Sequence, residues 1–517
     1  MLSIILTGHG GFASGMEKAM KQILGEQSQF IAIDFPETSS TALLTSQLEE
    51  AIVQLDCEDG IVFLTDLLGG TPFRVASTLA MQKPGCEVIT GTNLQLLLEM
   101  VLEREGLSGE EFRVQALECG HRGLTSLVDE LGRMSGRGRN MTHVLRARRL
   151  LTEEGWLDDH QLRIADGVIA AIEPIPVGVT ERDAELLCPA YIDTHVHGGA
   201  GVDVMDDAPD ALDKLAMHKA REGVGSWLPT TVTAPLNTIH AALKRIALRC
   251  QRGGPGAQVL GSYLEGPYFT PQNKGAHPPE LFRELEIAEL DQLIAVSQHT
   301  LRVVALAPEK EGALQAIRHL KQQNVRVMLG HSAATWQQTR AAFDAGADGL
   351  VHCYNGMTGL HHREPGMVGA GLTDKRAWLE LIADGHHVHP AAMSLCCCCA
   401  KERIVLITDA MQAAGMPDGR YTLCGEEVQM HDGVVRTASG GLAGSTLSVD
   451  AAVRNMVELT GVTPAEAIHM ASLHPARMLG VDGVLGSLKP GKRASVVALD
   501  SGLHVQQIWI QGQLASF

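Results

Sequence analysis

The sequence has no apolar run approaching the roughly 20 residues that a membrane helix needs, so it predicts no membrane insertion. Its start, MLSIILTGHGG, holds a short apolar stretch and no basic residue, which is not the pattern of a secretory signal. Positive charge is in deficit. Lys+Arg number 42 against 60 Asp+Glu, a net charge of −18 that argues against nucleic acid as a partner. The 11 cysteines are odd in number, scattered and without zinc-finger spacing, and read as reduced thiols in a cytoplasm. The run Cys396 to Cys399 reads as small buried filler rather than a metal clasp. Aromatics make up only 4%, and there is no internal repeat. Glycine, at 55 residues, is abundant and suits tight strand-to-helix turns and loops that bring backbone close to ligands. With 45% hydrophobic and 20% charged residues the chain is globular, and 517 residues suffice for two to four domains at roughly 150 residues each.

Charge and histidine both divide the chain unevenly. Residues 1–134 hold 8 Lys+Arg and 19 Asp+Glu, which is −11 of the total −18. Only His9 and His121 precede Met141, and the other 20 histidines follow it. Between the two parts lies RMSGRGRNMTHVLRARR, with six Arg, no acid, and Gly and Ser among the first of them. That is linker composition. The expected organisation is a first domain over 1–132 and a basic linker over 133–141. A small β unit follows, over 142–187 plus about 480–517, around a main domain over 188–479. Met141 opens a fresh strand pattern and could serve as an internal start.

In the first part, LSIILT and GIVFLT read as buried strands, and EVITGTN repeats the strand-then-turn pattern. MEKAMKQILG and VASTLAMQ between them read as helices, so a parallel α/β sheet is expected. Ligands of such sheets sit beyond the carboxyl ends of the strands, where His9 and Asp66 stand. The glycines beside His9 leave its ring exposed, with backbone N–H groups near it that suit a phosphate. Asp66 is placed to orient the imidazole. His9 within TGHGGFASGM and Asp66 within TDLLGGTPF resemble, over about residues 1–132, the enzyme IIA domain of mannose-type sugar phosphotransferase systems. The resemblance implies a parallel α/β sandwich in which His9 accepts a phosphoryl group from the phosphocarrier HPr and passes it to a IIB partner, with Asp66 positioning the ring. A degenerate module that only docks partners is the alternative.

In the second part, LLCPAYIDTHVHGG is a buried strand ending in His195-x-His197. Strand side chains alternate, so both imidazoles fall on one side. AQVLGSYL runs into Glu265, VRVMLG into His331, ADGLV into His352 and RIVLIT into Asp409. Helical patterns such as GALQAIRHLKQQ separate these strands. That is the plan of a (β/α)8 barrel with its site at the carboxyl face. His, Glu and Asp converging there suit a divalent metal that activates water. YTLCGEEVQMHDGVVRT reads as a hairpin that joins the small β unit, with GSLKPGKRASVVALD and VQQIWIQGQLA as further strands.

The motifs LEGPYFTPQNKGAH, GHSAAT, HCYNGM, REPGMVGAG, ADGHHVH, LITDAM and LAGSTL resemble, over about residues 142–517, the N-acetylhexosamine-6-phosphate deacetylases of the amidohydrolase superfamily. The resemblance implies that Glu265, His331 and His352 bind the principal metal and that Asp409 is general base and then acid. His277 would polarise the acetyl carbonyl. Ala276, Asn355 and Gly356 would contact the sugar, and Arg363 and His387 the 6-phosphate. Leu442, Ala443 and Gly444 would line the pocket. The H-x-H pair, absent from some family members, gives a second metal position at His195 and His197. Zinc suits His/Glu donors best, with Fe or Mn tolerated, so one or two ions per chain are expected. Family members usually form dimers, so the resemblance implies a homodimer. A cyclic-amide hydrolase using a carbamylated lysine is disfavoured because Glu265 stands at that position. The mannose-type first domain favours N-acetylgalactosamine 6-phosphate over the glucosamine epimer as substrate, as does the look of HCYNGMTGLHHREPG.

Overall fold

The computed structural model describes residues 1–56, 58–83, 85–122 and 143–516. Two compact units divide the chain, Met1–Arg139 and Asn140–Phe517. The linker expected over 133–141, Met141 included, lies outside the described residues.

A strand apolar at every position must be covered on both faces, because successive side chains point to opposite sides. Ser3–His9 and Ile61–Thr65 come near this, with Ile4, Ile5 and Leu6 apolar in succession in the one and Ile61 to Leu64 in the other, and every position buried except His9. Ile4, Leu6, Val62 and Leu64 pack with Met20, Leu97 and Phe112 on one face. Ile5, Ile61 and Phe63 pack with Leu44, Leu48 and Val75 on the other. The first unit is thus a parallel sheet between helices, its strands lying in the order Phe30–Phe35, Ser3–His9, Ile61–Thr65, Cys86–Thr90. The edge strand Phe30–Phe35 is not among those picked out from sequence. It is half-buried along its length and carries Asp34, so its apolar run is weaker than its neighbours'.

The second unit is an eight-stranded parallel barrel. Tyr191–Val196, Val224–Thr231, Ser262–Glu265, Leu301–Leu306, Arg326–Leu329, Gly349–Leu350, Trp378–Leu381 and Ile404–Leu406 pair in sequence order. Val196 bridges Ala410, and the Asp409 N–H donates to the His195 carbonyl, so the last strand meets the first. Helices such as Ala313–Gln322 and Trp336–Ala345 lie between strands, the latter opened by a Thr335–Gln338 capping box.

A seven-stranded sheet draws on both ends of this unit. His143–Thr152, Gly155–Ala165, Val168–Pro174 and Ala184–Pro189 come from one end, and Val496–Leu499, Val505–Ile510 and Gln513–Leu514 from the other. Val496–Leu499 pairs antiparallel with Ala184–Pro189 and joins the two halves. Leu145, Ile164, Ile169, Val496 and Trp509 meet in its core.

Two expectations need correction. The hairpin segment does not join this sheet. Gly419–Leu423, Glu426–His431 and Val434–Thr437 form a separate three-stranded sheet. Its apolar side, Leu423, Val428, Met430 and Val435, packs on Val232, Met411 and Ala443 beside the barrel mouth. The cysteine run is not buried filler throughout. It lies on the helix Pro390–Ala400, where each residue turns about 100° from the last. Cys396 is therefore buried and Cys397 half-buried, while Cys398 and Cys399 are exposed.

Candidate metal centre

The barrel strands deliver their carboxyl-end residues to one place. Glu265 ends its strand, and His331, His352 and Asp409 stand just past theirs. All three of the latter hold left-handed backbone, with φ of 45°, 27° and 49°. Such conformations cost about 1–3 kcal/mol each and gather at functional sites. Glu265 lies at the centre. Its Oε1 is 3.1 Å from His352 Nε2 and 3.3 Å from His331 Nε2, and its Oε2 is 3.0 Å from His197 Nε2. Asp409 Oδ1 is 3.1 Å from His197 Nε2 and 3.6 Å from His195 Nε2.

The outward nitrogens explain why the inward ones converge. His331 Nδ1 lies 3.0 Å from the Asn273 carbonyl, His352 Nδ1 3.0 Å from that of Asn355, and His197 Nδ1 3.1 Å from that of Thr230. A carbonyl only accepts, so each Nδ1 carries the hydrogen and each Nε2 turns a lone pair inward. His195 Nδ1 meets a carboxylate instead, Glu380 Oε2, at 3.1 Å. Nε2 atoms of His352 and His331 face each other at 3.1 Å, and those of His195 and His197 at 3.2 Å. Buried lone pairs and carboxylates in such contact require positive charge among them. The residues fit a divalent cation in two overlapping donor sets, His195–His197–Glu265 and Glu265–His331–His352.

The electrostatics agree. Burial alone would push protons off the imidazoles, but Glu265 and Glu380 hold His195 well above its ordinary range. For His197, burial is outweighed by the facing Asp409 and Glu265 carboxylates, which favour a second proton and raise it to about 9. His331, buried and beside His277, is lowered to about 4. Burial works against ionised Asp409, yet the His197 hydrogen bond and the nearby imidazoles bring it down to about 2. These are groups competing for too little positive charge.

A cavity of about 280 Å³ opens over the cluster. Its walls include Ala276, His277, Asn355, Gly356, His387, Leu442, Ala443 and Gly444, together with His197, Glu265, His331, His352 and Asp409. The Thr233 N–H donates to His277 Nδ1 at 3.3 Å, which leaves the His277 Nε2 hydrogen on the Glu265 side, 3.4 Å from Oε2. His387 Nδ1 donates to Asp384 at 2.6 Å. His195 is fully buried behind the wall. Arg363 is not brought into the cavity. It is exposed on a loop where its guanidinium meets His362 at 2.7 Å. The sequence reading misses Leu423 and Cys424, which the three-stranded sheet adds to the wall, and it misses Thr233 and Glu380. Only Glu380 left a signal, an acid inside the apolar strand WLEL.

In the first unit, His9 ends the strand Ser3–His9 with its side chain 42% exposed. Its Nδ1 donates to Asp66 Oδ2 at 2.9 Å, and that same oxygen accepts the His9 backbone N–H at 2.7 Å. Burial opposes ionisation of Asp66, but these two bonds hold its carboxyl below the usual range. The ring is fixed, with Nε2 making no hydrogen bond among the described residues.

Residues 186–515 match the family described as Amidohydrolase family, and residues 3–117 match the PTS system fructose IIA component. Residues 142–177 match the N-terminal domain of formimidoylglutamate deiminase HutF. The chain is 99% identical over 377 residues to the N-acetylgalactosamine-6-phosphate deacetylase of Escherichia coli O157:H7, covering 73% of this chain and 100% of that protein. It is 49% identical over 382 residues to the N-acetylglucosamine-6-phosphate deacetylase of Vibrio furnissii, covering 72% and 94%. A variant of N-acetyl-D-glucosamine-6-phosphate deacetylase from Mycobacterium smegmatis, solved in complex with N-acetyl-D-glucosamine-6-phosphate, is similar in structure. It has a TM-score of 0.69 and 32% identity, and covers 73% of this chain and 100% of that one. With its strand-end histidines and carboxylates gathered at one barrel mouth, the chain belongs to the amidohydrolase family and carries a phosphotransferase-system IIA unit ahead of its barrel.

Proposed function

We propose that the barrel unit hydrolyses the acetamide of N-acetylgalactosamine 6-phosphate to galactosamine 6-phosphate and acetate, and that the first unit carries phosphoryl groups on His9. The observation that carries the barrel reading is the convergence of His197, Glu265, His331, His352 and Asp409 on the floor of one cavity. The near-identity to a galactosamine-type deacetylase supports the epimer.

Glu265, His331 and His352 would hold the principal divalent ion, zinc by donor type with Fe or Mn tolerated. Lewis acidity toward a water and toward the acetyl carbonyl is the chemistry such an ion supplies when bound. Asp409, held ionised by its imidazole neighbours, takes a proton from the water as its oxygen bonds to the acetyl carbon. The His277 Nε2–H donates to the carbonyl oxygen as negative charge grows there. Asp409 then gives its proton to the nitrogen as the C–N bond breaks, so that the sugar leaves as an amine and acetate remains. His387, oriented by Asp384, faces the 6-phosphate. Ala276, Asn355, Gly356, Leu442, Ala443 and Gly444 enclose the sugar.

In the first unit the free Nε2 of His9 accepts the phosphoryl group from HPr and passes it to a IIB component, while Asp66 holds the Nδ1 hydrogen. A phosphorylated sugar substrate and the free thiols of the barrel unit both suit a cytoplasmic protein.

A second reading keeps the chemistry and changes the epimer, because the Vibrio furnissii relative is named for N-acetylglucosamine 6-phosphate. The two sugars differ at one hydroxyl, which a closed hydrogen-bonding site distinguishes and an open one does not. Measuring kcat/KM on both purified 6-phosphates decides between them. A preference without exclusivity for the galactosamine epimer is expected, and a clear advantage for the glucosamine epimer would transfer the assignment.

A further inference from the structure

Glu380 is fully buried in the middle of the barrel wall, on the strand Trp378–Leu381. Its Oε2 accepts from His195 Nδ1 at 3.1 Å and from the Tyr263 hydroxyl at 3.4 Å. Its Oε1 has no hydrogen-bond partner among the described residues. The buried cation Lys219 is itself paired, to Asp193 at 2.9 Å and to Glu222 at 2.5 Å. A half-satisfied carboxylate in a dry interior is costly, and a strut of the same size would be made from glutamine or methionine at less cost.

Two comparisons say what the carboxylate is for. The other three inward-turned imidazoles are oriented by neutral backbone carbonyls, and only His195 by a charged group. A carboxylate behind a ligating histidine fixes its tautomer and raises its basicity, which matters most for the weaker of two cation positions. Glu380 also adds a third carboxylate to Glu265 and Asp409, within one chain of contacts through His195. One divalent ion balances two such charges and leaves the third uncompensated.

We propose that Glu380 is the positioning residue of a second divalent-cation position formed by His195, His197 and Glu265, an inference that rests on reading the cluster as a metal centre. By taking the Nδ1 hydrogen it holds the Nε2 of His195 open toward Glu265 and His197, so the second position exists because Glu380 is charged and buried. In E380Q the amide can donate to Nδ1 instead, which moves the hydrogen to Nε2 and closes the position.

The test is zinc stoichiometry and affinity on the full chain, stripped with chelator and titrated by calorimetry, with elemental analysis of the dialysed protein. Wild type is expected to take two ions. E380Q should keep the tighter ion and bind the weaker one about 10–100-fold less well, the usual cost of losing such a partner. The double variant H195A/E380Q should be no weaker than H195A alone, because Glu380 acts through that ring. Unchanged binding of both ions by E380Q overturns the proposal, and so does a wild type that takes one ion whose affinity H195A leaves untouched. A wild type that takes no zinc overturns the metal-centre reading as well. Should E380Q fail to fold, E380D, which withdraws the carboxylate by one methylene, takes its place. Weakened binding of the second ion then supports the proposal and unchanged binding overturns it.

Discussion

Asp409 combines left-handed backbone, burial and a carboxylate 3.1 Å from His197, so its position is held against local preference. If its work is proton transfer, Asp409→Asn should lower kcat by roughly 10²–10⁴-fold with little change in KM. Near-normal kcat would remove it from the mechanism. Asp203 offers a pH test outside the ligand set. Burial raises its carboxyl from 3.8 to about 6, against the Met205 N–H that it accepts. A raised acid holds its proton longer in the fold than in the unfolded chain, so stability falls as pH rises from about 4 through about 6. Asp203→Asn can still accept from Met205 and loses the charge. The metal-free variant should melt higher than wild type at pH 8 and gain nothing at pH 4, and an equal gain at both would refute this. The sequence showed the candidate ligands themselves because acids and histidines at the ends of apolar runs stand out. It did not show Thr233 or Glu380, whose roles depend on which imidazole nitrogen they face, a relation that exists only in space. Arg363 carries a motif, yet nothing in the motif told whether its loop turns toward the cavity or away.

At the scale of elements, the strand Gly349–Leu350 is the shortest of the eight that close the barrel and delivers His352. A Cβ on Gly349 would lie 2.1 Å from the Trp378 carbonyl oxygen of the next strand, backbone that cannot swing aside. Gly349→Ala should therefore destabilise the barrel by about 1–3 kcal/mol or more and shift the denaturant midpoint down. Wild-type stability in that variant would mean that the wall yields more easily than its packing implies. Long fully buried strands were legible from composition alone. Phe30–Phe35 was not, because an edge strand half-covered along its length lacks that signature. The three-stranded sheet at 419–437 was recognised as strands but given the wrong neighbours, since alternation fixes which side is apolar and says nothing about what covers it. The cysteine run misled for the opposite reason: a uniform segment on a helix has no uniform environment.

At the scale of the whole molecule, the two proposed chemistries lie in two compact units with separate cores. Strong chelation should abolish deacetylation and leave phosphoryl transfer to His9 intact, and His9→Ala should do the reverse. Assaying both activities on each sample checks this, and a His9→Ala protein whose deacetylase turnover falls by an order of magnitude would show the sites to be coupled. The division was readable from the jump in charge and histidine content, and so was the return of the C-terminal strands to the small β unit, whereas which strands pair across that join was not. Ala184–Pro189 pairs early with His143–Thr152 on one edge and finds its second partner, Val496–Leu499, only after every strand of the barrel has been made. On a translating ribosome the first unit has all its strands in hand early, while the second emerges with that edge bare and waiting. The interval exposes unpaired backbone of the kind that other nascent chains can capture. Synthesis speed through the barrel thus becomes a determinant of yield, and a ribosome stalled before Val496 leaves a barrel whose clasp is open.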